Sequence, residues 1–396
     1  MFDAAASPDS PHDPVLAPAL RALAFYLPQY HPVPETDAFW GAGFTEWRNV
    51  VRARPRFPGH EQPHLPADLG FYDLRLPETR AAQAALARAA GLSGFCWYHY
   101  WFGGRRVLHR PFDEVLASGA PDFPFMLCWA NENWTRAWDG GAREVILAQD
   151  YSDEDTRAHA RHLAPAFADP RYIRIGDRPV FAVYNADDLP DPRRWTDLFR
   201  ETSLTQGVSP YLIRVERWLD RDTRPPAELG FDAALDFQPF SRSFRRWLRA
   251  RPDLKARPTA RILNRLRRDW QRAQPWRRFD RLHDLAAFVD HDLSEPPAPY
   301  TRFPGVCPSW DNSARRPAGE AIVFRGASPA LFRRWLEGRA RGFVPPSPQE
   351  NLLFVNAWNE WAEGNHLEPC LRHGHHWLEA IRSGLGFDIA EDAPIG

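Results

Sequence analysis

Several features that mark common classes of protein are missing from this chain. Its formal net charge is −1 over 396 residues, so bulk charge gives no case for binding nucleic acid or a membrane surface. No apolar run reaches the roughly 18 residues that a transmembrane helix needs, so we expect no membrane span. The four cysteines lie far apart without a C-x-x-C pair, which argues against a disulfide framework or a cysteine zinc site.

Lysine is nearly absent, since Lys255 is the only lysine among 50 basic residues. Arginine, alanine and proline are abundant, which is typical of a codon-composition bias, so we take no single arginine as a functional signal. The first 20 residues lack a basic stretch followed by an apolar one. We therefore predict a disordered lead over 1–20, no signal peptide and a cytoplasmic protein.

Short apolar runs of the β type alternate with helical stretches along residues 21–390. The clearest helices are predicted at Pro77–Ala90, Glu154–Phe167 and Pro329–Arg339. Strands that alternate with helices form parallel sheets, and eight parallel strands close a barrel. We therefore predict a single (β/α)8 domain; an open doubly wound sheet is the alternative, although no G-x-G-x-x-G motif follows a strand. The predicted strands are Ala22–Leu27, Gly94–Tyr100, Phe123–Trp129, Pro179–Tyr184, Tyr211–Val215, Ala233–Phe237, Phe303–Pro308 and Leu352–Ala357.

A basic segment interrupts this alternation between the sixth and seventh predicted strands. Residues 241–281 contain 15 Arg or Lys and three Asp, with three tryptophans among them. We predict a helical insertion over 241–300. It is either a solvated helical pair whose arginines reflect composition, or a surface for an acidic or phosphate-bearing partner.

Aromatic, amide and carboxylate residues follow most of the predicted strands. In a closed parallel barrel the carboxyl ends of the strands form one rim, where active sites lie. A sugar offers C–H faces that pack on aromatic rings and hydroxyls that need polar partners, so this rim suits a carbohydrate. Core packing is the alternative for each aromatic residue taken singly. The predicted substrate-binding residues are Tyr30, His99, Tyr100, Trp101, Trp129, Asn131, Glu132, Trp134, Tyr184, Glu216, Asp236, Trp310, Trp358, Asn359 and Trp361.

The sharpest signal is the pair Glu360 and Glu363 in the sequence W-N-E-W-A-E-G, after the eighth predicted strand. Carboxylates three residues apart lie on one side of a helical or turn-like segment. Glycosidases use two carboxyl groups, one protonated and one ionised. We therefore predict Glu360 and Glu363 as catalytic residues; a capping or surface-charge pair is the alternative.

Other polar residues give weaker signals. Glu46 in the sequence G-F-T-E-W is a candidate either for capping a helix or for binding. His373, His375 and His376 have the composition of a metal site, but this run without an acidic partner is more typical of a surface loop. No G-x-S-x-G elbow and no phosphate-cradling loop occurs in the sequence. We expect no metal ion and no cofactor.

At these motifs the chain resembles the WbsX-type proteins, which are related to glycoside hydrolase family 99. The matching runs are long and unusual, and they span most of residues 22–380. Segment 241–300 has no counterpart in the resemblance. The runs include FYLPQYHPVPETDAFWGAGFTEW (25–47), GFCWYHYWFGGRRVLHRPFDEVL (94–116), FPFMLCWANENWTRAWDG (123–140) and FVNAWNEWAEGNHLEP (354–369).

The resemblance implies a (β/α)8 fold and a retaining α-mannosidase chemistry whose Glu-x-x-Glu pair falls on Glu360 and Glu363. By similarity, Glu360 would deprotonate the sugar 2-hydroxyl, and that oxygen would displace the leaving group to form a 1,2-anhydro sugar. Glu363 would protonate the leaving oxygen and then activate water. Such a route implies a sugar whose 2-hydroxyl lies trans to the leaving group, as in α-mannose and α-rhamnose.

Three functions stay open at this point. The first is an enzyme that cleaves, or transfers from, an α-linked oligosaccharide or polysaccharide. The second is a glycosyltransferase of cell-surface polysaccharide biosynthesis of the O-antigen type, since WbsX-type relatives lie in such gene clusters and are often labelled glycosyltransferases. The third is a non-catalytic carbohydrate-binding protein, which has no need of an intact carboxylate pair.

Overall fold

The computed structural model describes residues 20–136, 141–251 and 280–386. All but the last residue of the predicted lead over 1–20 therefore lie outside the described residues. Eight parallel strands form the centre of the fold, and each overlaps a strand predicted from the sequence. They are β1 (Arg21–Tyr26), β2 (Gly94–Phe102), β3 (Phe125–Trp129), β4 (Arg178–Val183), β5 (Tyr211–Glu216), β6 (Ala233–Asp236), β7 (Arg302–Phe303 with Gly305–Val306) and β8 (Leu352–Val355).

The sheet closes on itself through β7, which confirms the predicted (β/α)8 barrel. Strand order runs from β1 through β6 by parallel neighbours, and β8 pairs with β1. The first half of β7 pairs with β6 and the second half pairs with β8. Pro304 separates the halves because proline has no N–H to donate to a ladder. Gly305 follows because a Cβ there would lie 1.9 Å from the Asp236 carbonyl oxygen.

Helices pack around the outside of the barrel, and the three predicted from the sequence are confirmed. Ser152 caps the helix that begins at Asp153 by accepting a hydrogen bond from the Asp155 N–H. Ser328 caps a later helix in the same way, with proline at its first position. The described helices are Pro34–Trp40, Trp47–Arg52, Pro77–Ala89, Arg110–Ser118, Asp153–Ala168, Pro192–Leu204, Arg242–Ala250, Leu285–Ser294, Pro329–Arg341 and His376–Gly384.

Several short strands lie in the loops of the barrel. Arg281–Asp284 pairs in parallel with Ile322–Arg325, and Asn359–Glu360 forms a small antiparallel pair with Asn365–His366. Further short strands are Arg105–Val107, Trp134–Arg136, Gly141–Leu147 and Arg174–Ile175. In the residues that the structure describes, no helix is both long and apolar enough to cross a bilayer.

Only the two ends of the predicted basic insertion belong to the described residues, because 252–279 lie outside them. The end at Arg242–Ala250 is a helix whose Phe244 is fully buried. The other end includes the helix Leu285–Ser294, which buries Phe288 against Trp335 at a ring distance of 5.7 Å. Both described ends therefore pack into the barrel's hydrophobic core.

Candidate active site

A cavity of about 450 Å³ opens at the carboxyl ends of the barrel strands. This is the rim where parallel barrels place their functional groups. Its walls combine aromatic rings with carboxylates, amides and arginines. The lining includes Gln29, Tyr98, Tyr100, Glu132, Asn133, Trp134, Tyr184, Arg217, Trp218, Phe237, Phe240, Trp310, Asn312, Arg315, Arg316, Asn356, Glu360 and Glu363.

The loop after β8 brings Glu360 and Glu363 to the same cavity. Glu360 ends a short strand, and a single 3-10 turn over Trp361–Glu363 follows it. Gly364 ends the turn with a left-handed backbone conformation at φ 57°. It also packs closely against Asp311, because a Cβ added to Gly364 would lie 3.1 Å from the Asp311 Cβ. The Asp311 N–H donates to the Glu363 carbonyl at 2.7 Å. The turn thus fixes two carboxylates on one wall, as the i, i+3 spacing predicted.

Buried hydrogen bonds hold this loop from behind. The Asn359 side chain accepts from the Leu27 N–H at 2.8 Å and donates to the Leu27 carbonyl at 3.1 Å, which ties the loop to the end of β1. Glu368 accepts from the Trp361 indole at 2.6 Å and from the Tyr72 hydroxyl at 2.8 Å. Burial raises the pKa of Glu368 to about 7 against the effect of these donors.

Arg315 lies between the two predicted catalytic carboxylates and a third one. Its guanidinium contacts Glu360 at 2.6 Å and Glu363 at 3.2 Å, and its Nε donates to Glu46 at 2.9 Å. We did not predict Arg315, because the abundance of arginine led us to discount every single one. Glu46 was noted as a weak candidate for capping or binding, and the structure places it at the N-terminus of the helix Trp47–Arg52.

Burial shifts the acid–base behaviour of the pair. It raises the pKa of Glu360 well above the ordinary range, with Arg315 opposing and the neighbouring Glu363 and Glu46 adding to the shift. Burial also raises the pKa of Glu363, against the opposing charges of Arg315 and Arg316. Two interacting carboxyl groups whose pKa values are raised above the ordinary range can serve as an acid and a base near neutral pH.

Aromatic rings form the opposite side of the cavity. Tyr98 and Tyr184 meet edge to face with ring centroids 5.8 Å apart. The Arg217 guanidinium lies over the Tyr184 ring at 4.6 Å and pairs with Glu132 at 2.6 Å. Such a mixture of ring faces and fixed polar groups suits a sugar ring and its hydroxyls.

The structure brings together seven of the predicted site residues around this cavity. Two are the predicted catalytic residues, and five belong to the predicted substrate-binding set. The cavity also has polar residues that sequence reasoning missed, among them Gln29, Arg217, Asn312, Arg316 and Asn356. The predicted residues that line it are Tyr100, Glu132, Trp134, Tyr184, Trp310, Glu360 and Glu363.

Ten predicted substrate-binding residues lie outside the cavity lining, where their side chains contact other parts of the protein. His99 contacts His159 at 3.0 Å, and Trp101 donates to Asp155 at 2.9 Å, on the helix Asp153–Ala168. Trp129 stacks on Trp195 at 5.5 Å. The remaining seven are also buried: Tyr30, Asn131, Glu216, Asp236, Trp358, Asn359 and Trp361.

Several of these buried residues have identifiable structural partners. Asn131 exchanges two hydrogen bonds with the Asn185 backbone, each of 2.7 Å. Glu216 pairs with Arg242 at 3.0 Å, and Asp236 pairs with Arg339 at 2.6 Å. The Tyr30 hydroxyl accepts from the Trp361 N–H at 3.0 Å. These buried residues pack behind the residues that line the cavity and support the rim of the barrel.

Residues 22–381 match the protein family described as Glycosyltransferase WbsX. The chain belongs to this family.

Curated relatives in the WbsX family include the uncharacterized protein WxcX from two strains of Xanthomonas campestris pv. campestris. Each is 41% identical over 370 residues, which cover 92% of this chain and 49% of the relative. The chain therefore spans about half the length of the curated relatives it matches.

Solved structures share the fold of this WbsX family member at low sequence identity. A glycoside hydrolase-like protein superposes with a TM-score of 0.58 at 15% identity, covering 96% of this chain and 98% of the other. A GH99 endo-α-mannosidase from Bacteroides thetaiotaomicron, in complex with Bis-Tris propane, gives a TM-score of 0.54 at 13% identity and covers 92% and 98%. These proteins and this chain thus share the barrel fold.

Proposed function

We propose that this protein cleaves, or transfers from, α-glycosidic bonds of a mannose-like or rhamnose-like oligosaccharide with retention of configuration. The observation that carries this proposal is the pair Glu360 and Glu363 in a cavity that is also lined by aromatic rings, amides and arginines. The barrel fold supports it, since a protein of the same fold is an endo-α-mannosidase. The setting would be polysaccharide metabolism in the cytoplasm.

In the proposed first step, Glu360 takes the proton of the sugar 2-hydroxyl. The oxygen so freed attacks the anomeric carbon, and the bond from that carbon to the leaving oxygen breaks while Glu363 gives its proton to that oxygen. The product is a 1,2-anhydro sugar. In the second step Glu363 takes a proton from water or an acceptor hydroxyl, which opens the anhydro ring as Glu360 returns its proton to the 2-oxygen. Two inversions at the anomeric carbon give net retention.

A glycosyltransferase of cell-surface polysaccharide biosynthesis is the second candidate, and membership of the family described as Glycosyltransferase WbsX favours it. A transferase that uses a sugar nucleotide must hold a diphosphate leaving group, which takes cations or helix N-termini aimed at phosphate. The cavity does contain Arg217 and Arg316, but Arg217 is engaged by Glu132. A non-catalytic carbohydrate-binding protein is the third candidate, and it gives no reason for a buried carboxylate pair.

The test combines two substitutions with a product analysis. We expect Glu360→Gln and Glu363→Gln each to lower turnover by about 10²–10⁴-fold while the protein stays folded, because each removes one acid–base role. An exposed carboxylate such as Asp290, paired with Arg334, gives the matched control Asp290→Asn. Near wild-type turnover in both active-site variants would contradict the assignment.

The reaction type is settled by an anomer-resolved NMR time course with α-linked oligosaccharides and a chelator, alongside titration with nucleoside diphosphates. Retained configuration with chelator present supports the proposal. Sub-millimolar nucleotide binding without glycoside cleavage would favour the glycosyltransferase, and inversion would overturn the anhydro-sugar route.

A further inference from the structure

A buried arginine joins three carboxylates beside the candidate active site. Each nitrogen of the Arg315 guanidinium contacts a different carboxylate: Nε contacts Glu46, Nη2 contacts Glu360 and Nη1 contacts Glu363. The arginine side chain is only 9% exposed. A planar guanidinium with fixed donor directions can hold several carboxylates in one geometry, whereas a lysine ammonium cannot. The geometry of the Glu360 and Glu363 pair therefore depends on Arg315.

Glu46 belongs to this cluster without lining the cavity. Its side chain is fully buried. One oxygen accepts from Arg315 and from the Asn49 amide at 2.9 Å. The other, Oε2, is buried with no hydrogen-bond partner among the described residues. A buried carboxylate that does not face the cavity contributes charge and position, not a contact to the sugar.

Charge counting shows that the cluster retains protons. Three ionised carboxylates around one guanidinium carry a net charge of −2, which Arg316 beside Glu363 reduces to −1. The other titratable neighbours are tyrosines: Tyr30 and Tyr100 face Glu360, and Tyr184 faces Glu363. Burial raises the pKa of each of these tyrosines, so they stay neutral near pH 7. The unbalanced negative charge in a buried site is relieved by protonating a carboxylate.

We propose that Arg315 is a positioning residue that holds Glu360 as a carboxylate and leaves the proton on Glu363, with Glu46 as the third member that anchors Arg315 and opposes ionisation of Glu360. Burial and the neighbouring carboxylates raise the pKa of Glu360 further than that of Glu363, which taken alone would place the proton on Glu360. We assign the split from the contact lengths instead, since Arg315 lies 2.6 Å from Glu360 and 3.2 Å from Glu363. The shorter ion pair favours charge on Glu360. This inference rests on the proposed function, in which Glu360 is the base and Glu363 the acid.

The first test is the pH profile of kcat/KM for Arg315→Gln and Glu46→Gln, with Arg334→Gln as the control. Removing the cation raises the pKa of the base, so the acidic limb of Arg315→Gln moves to higher pH. Removing a neighbouring negative charge lowers it, so the limb of Glu46→Gln moves to lower pH. We expect shifts of about one pH unit or more in opposite directions. Arg334 pairs with Asp290 on the surface, and its substitution should leave the acidic limb of the pH profile unchanged.

Arg315→Lys is the second variant, and it keeps the positive charge but loses the planar guanidinium with its fixed donor directions. We expect it to retain the acidic limb near its wild-type position while losing kcat by at least 10-fold, because charge is kept and geometry is lost. It also provides a test if Arg315→Gln fails to fold. The proposal would be overturned if the acidic limb of the pH profile of kcat/KM did not move in Arg315→Gln and Glu46→Gln, or moved in the same direction in both.

A substrate-free readout separates this inference from the proposed function. Infrared difference spectra across pH 4–9 detect the band of a protonated buried carboxyl group. Burial also raises the pKa of Glu368 to about 7, so we expect Glu363→Gln to remove one component of the band at pH 7 and to leave the Glu368 component. The Glu363 component should titrate at higher pH in Arg315→Gln. A wild-type protein that shows this component but cleaves no glycoside keeps the charge arrangement and fails the proposed function. Loss of this component in Glu360→Gln together with its survival in Glu363→Gln would refute the assignment of the proton.

Discussion

Replacing Asn359 with alanine should destabilise the protein strongly, although the residue does not line the candidate active-site cavity. Its fully buried side chain satisfies both the N–H and the carbonyl of Leu27, at 2.8 and 3.1 Å, and donates to the Tyr72 hydroxyl at 3.3 Å. Alanine leaves two buried backbone groups unpaired, each worth about 1–3 kcal/mol. We therefore expect a loss of roughly 2–5 kcal/mol, a large share of a typical stability of about 5–15 kcal/mol.

Urea unfolding with an unchanged m-value measures this loss. Because Asn359 ties Glu360 to the end of β1, we also expect kcat to fall in protein that remains folded. Asn133→Ala is the control for stability, since the Asn133 side chain accepts one hydrogen bond from the Gln149 N–H on the exposed surface. We expect the control to change stability by no more than about 0.5 kcal/mol. A loss below about 1 kcal/mol in Asn359→Ala would refute the structural reasoning.

Two further predictions concern the barrel and its pH response. Gly305→Ala places a Cβ 1.9 Å from the Asp236 carbonyl oxygen. We therefore expect the free energy of unfolding to fall by about 3 kcal/mol, or the protein to fail to fold, as measured by thermal unfolding. Wild-type stability in this variant would contradict the close approach. Burial raises the pKa of Glu368 to about 7, from about 4.3 in an unfolded chain. The stability that Glu368 contributes is therefore present below the unfolded pKa and lost as pH rises through the folded pKa, by up to about 4 kcal/mol. The difference in unfolding free energy between wild type and Glu368→Gln should change over this window, and a difference that is constant from pH 4 to 8 would disprove the shift.

The strands could be predicted because a barrel strand is a short apolar run between helices. Even β7 was visible in the sequence, although Pro304 divides it into two pairs of residues. The loop after β8 was also predictable, because two glutamates flanked by tryptophans at a strand end is an unusual combination. Both signals are local, so they can be read without knowing what else packs nearby.

On β2, strand parity separates the predicted substrate-binding residues that line the cavity from those that do not. Side chains alternate along a strand, and on β2 Tyr98 and Tyr100 face the cavity while His99 and Trp101 face a helix. Selecting every polar or aromatic residue after a strand therefore mixed both faces. The period of two was available in the sequence and would have divided this strand correctly.

Arg315 could not have been found by the same reasoning. It follows β7 in a loop, and its partners come from two separate parts of the chain. Only the closed barrel brings Glu46, in the segment between β1 and β2, beside a loop that follows β8. In a chain with 49 arginines, residue type alone cannot single out the one that is buried among carboxylates.

The basic segment 252–279 is expected to set the choice of partner or substrate and not to carry catalysis. It contains nine Arg or Lys and two Asp. Its described flanks approach each other, since the rings of Trp247 and His283 lie 5.7 Å apart, so a short Gly/Ser linker can join Arg251 to Asp280 without removing either packed helix.

We expect the deletion variant to keep its activity on a short neutral glycoside, because Glu360, Glu363 and Arg315 lie in the loops after β7 and β8 and are retained in the deletion. Binding to polyphosphate, measured at two salt concentrations, should weaken in the deletion and in a full-length variant with the nine basic residues changed to Gln, and the salt dependence should fall in both. A folded deletion variant that has lost all activity on the neutral glycoside would count against the separation of roles. Unchanged polyphosphate binding in both variants would instead favour the interpretation of these arginines as a consequence of composition.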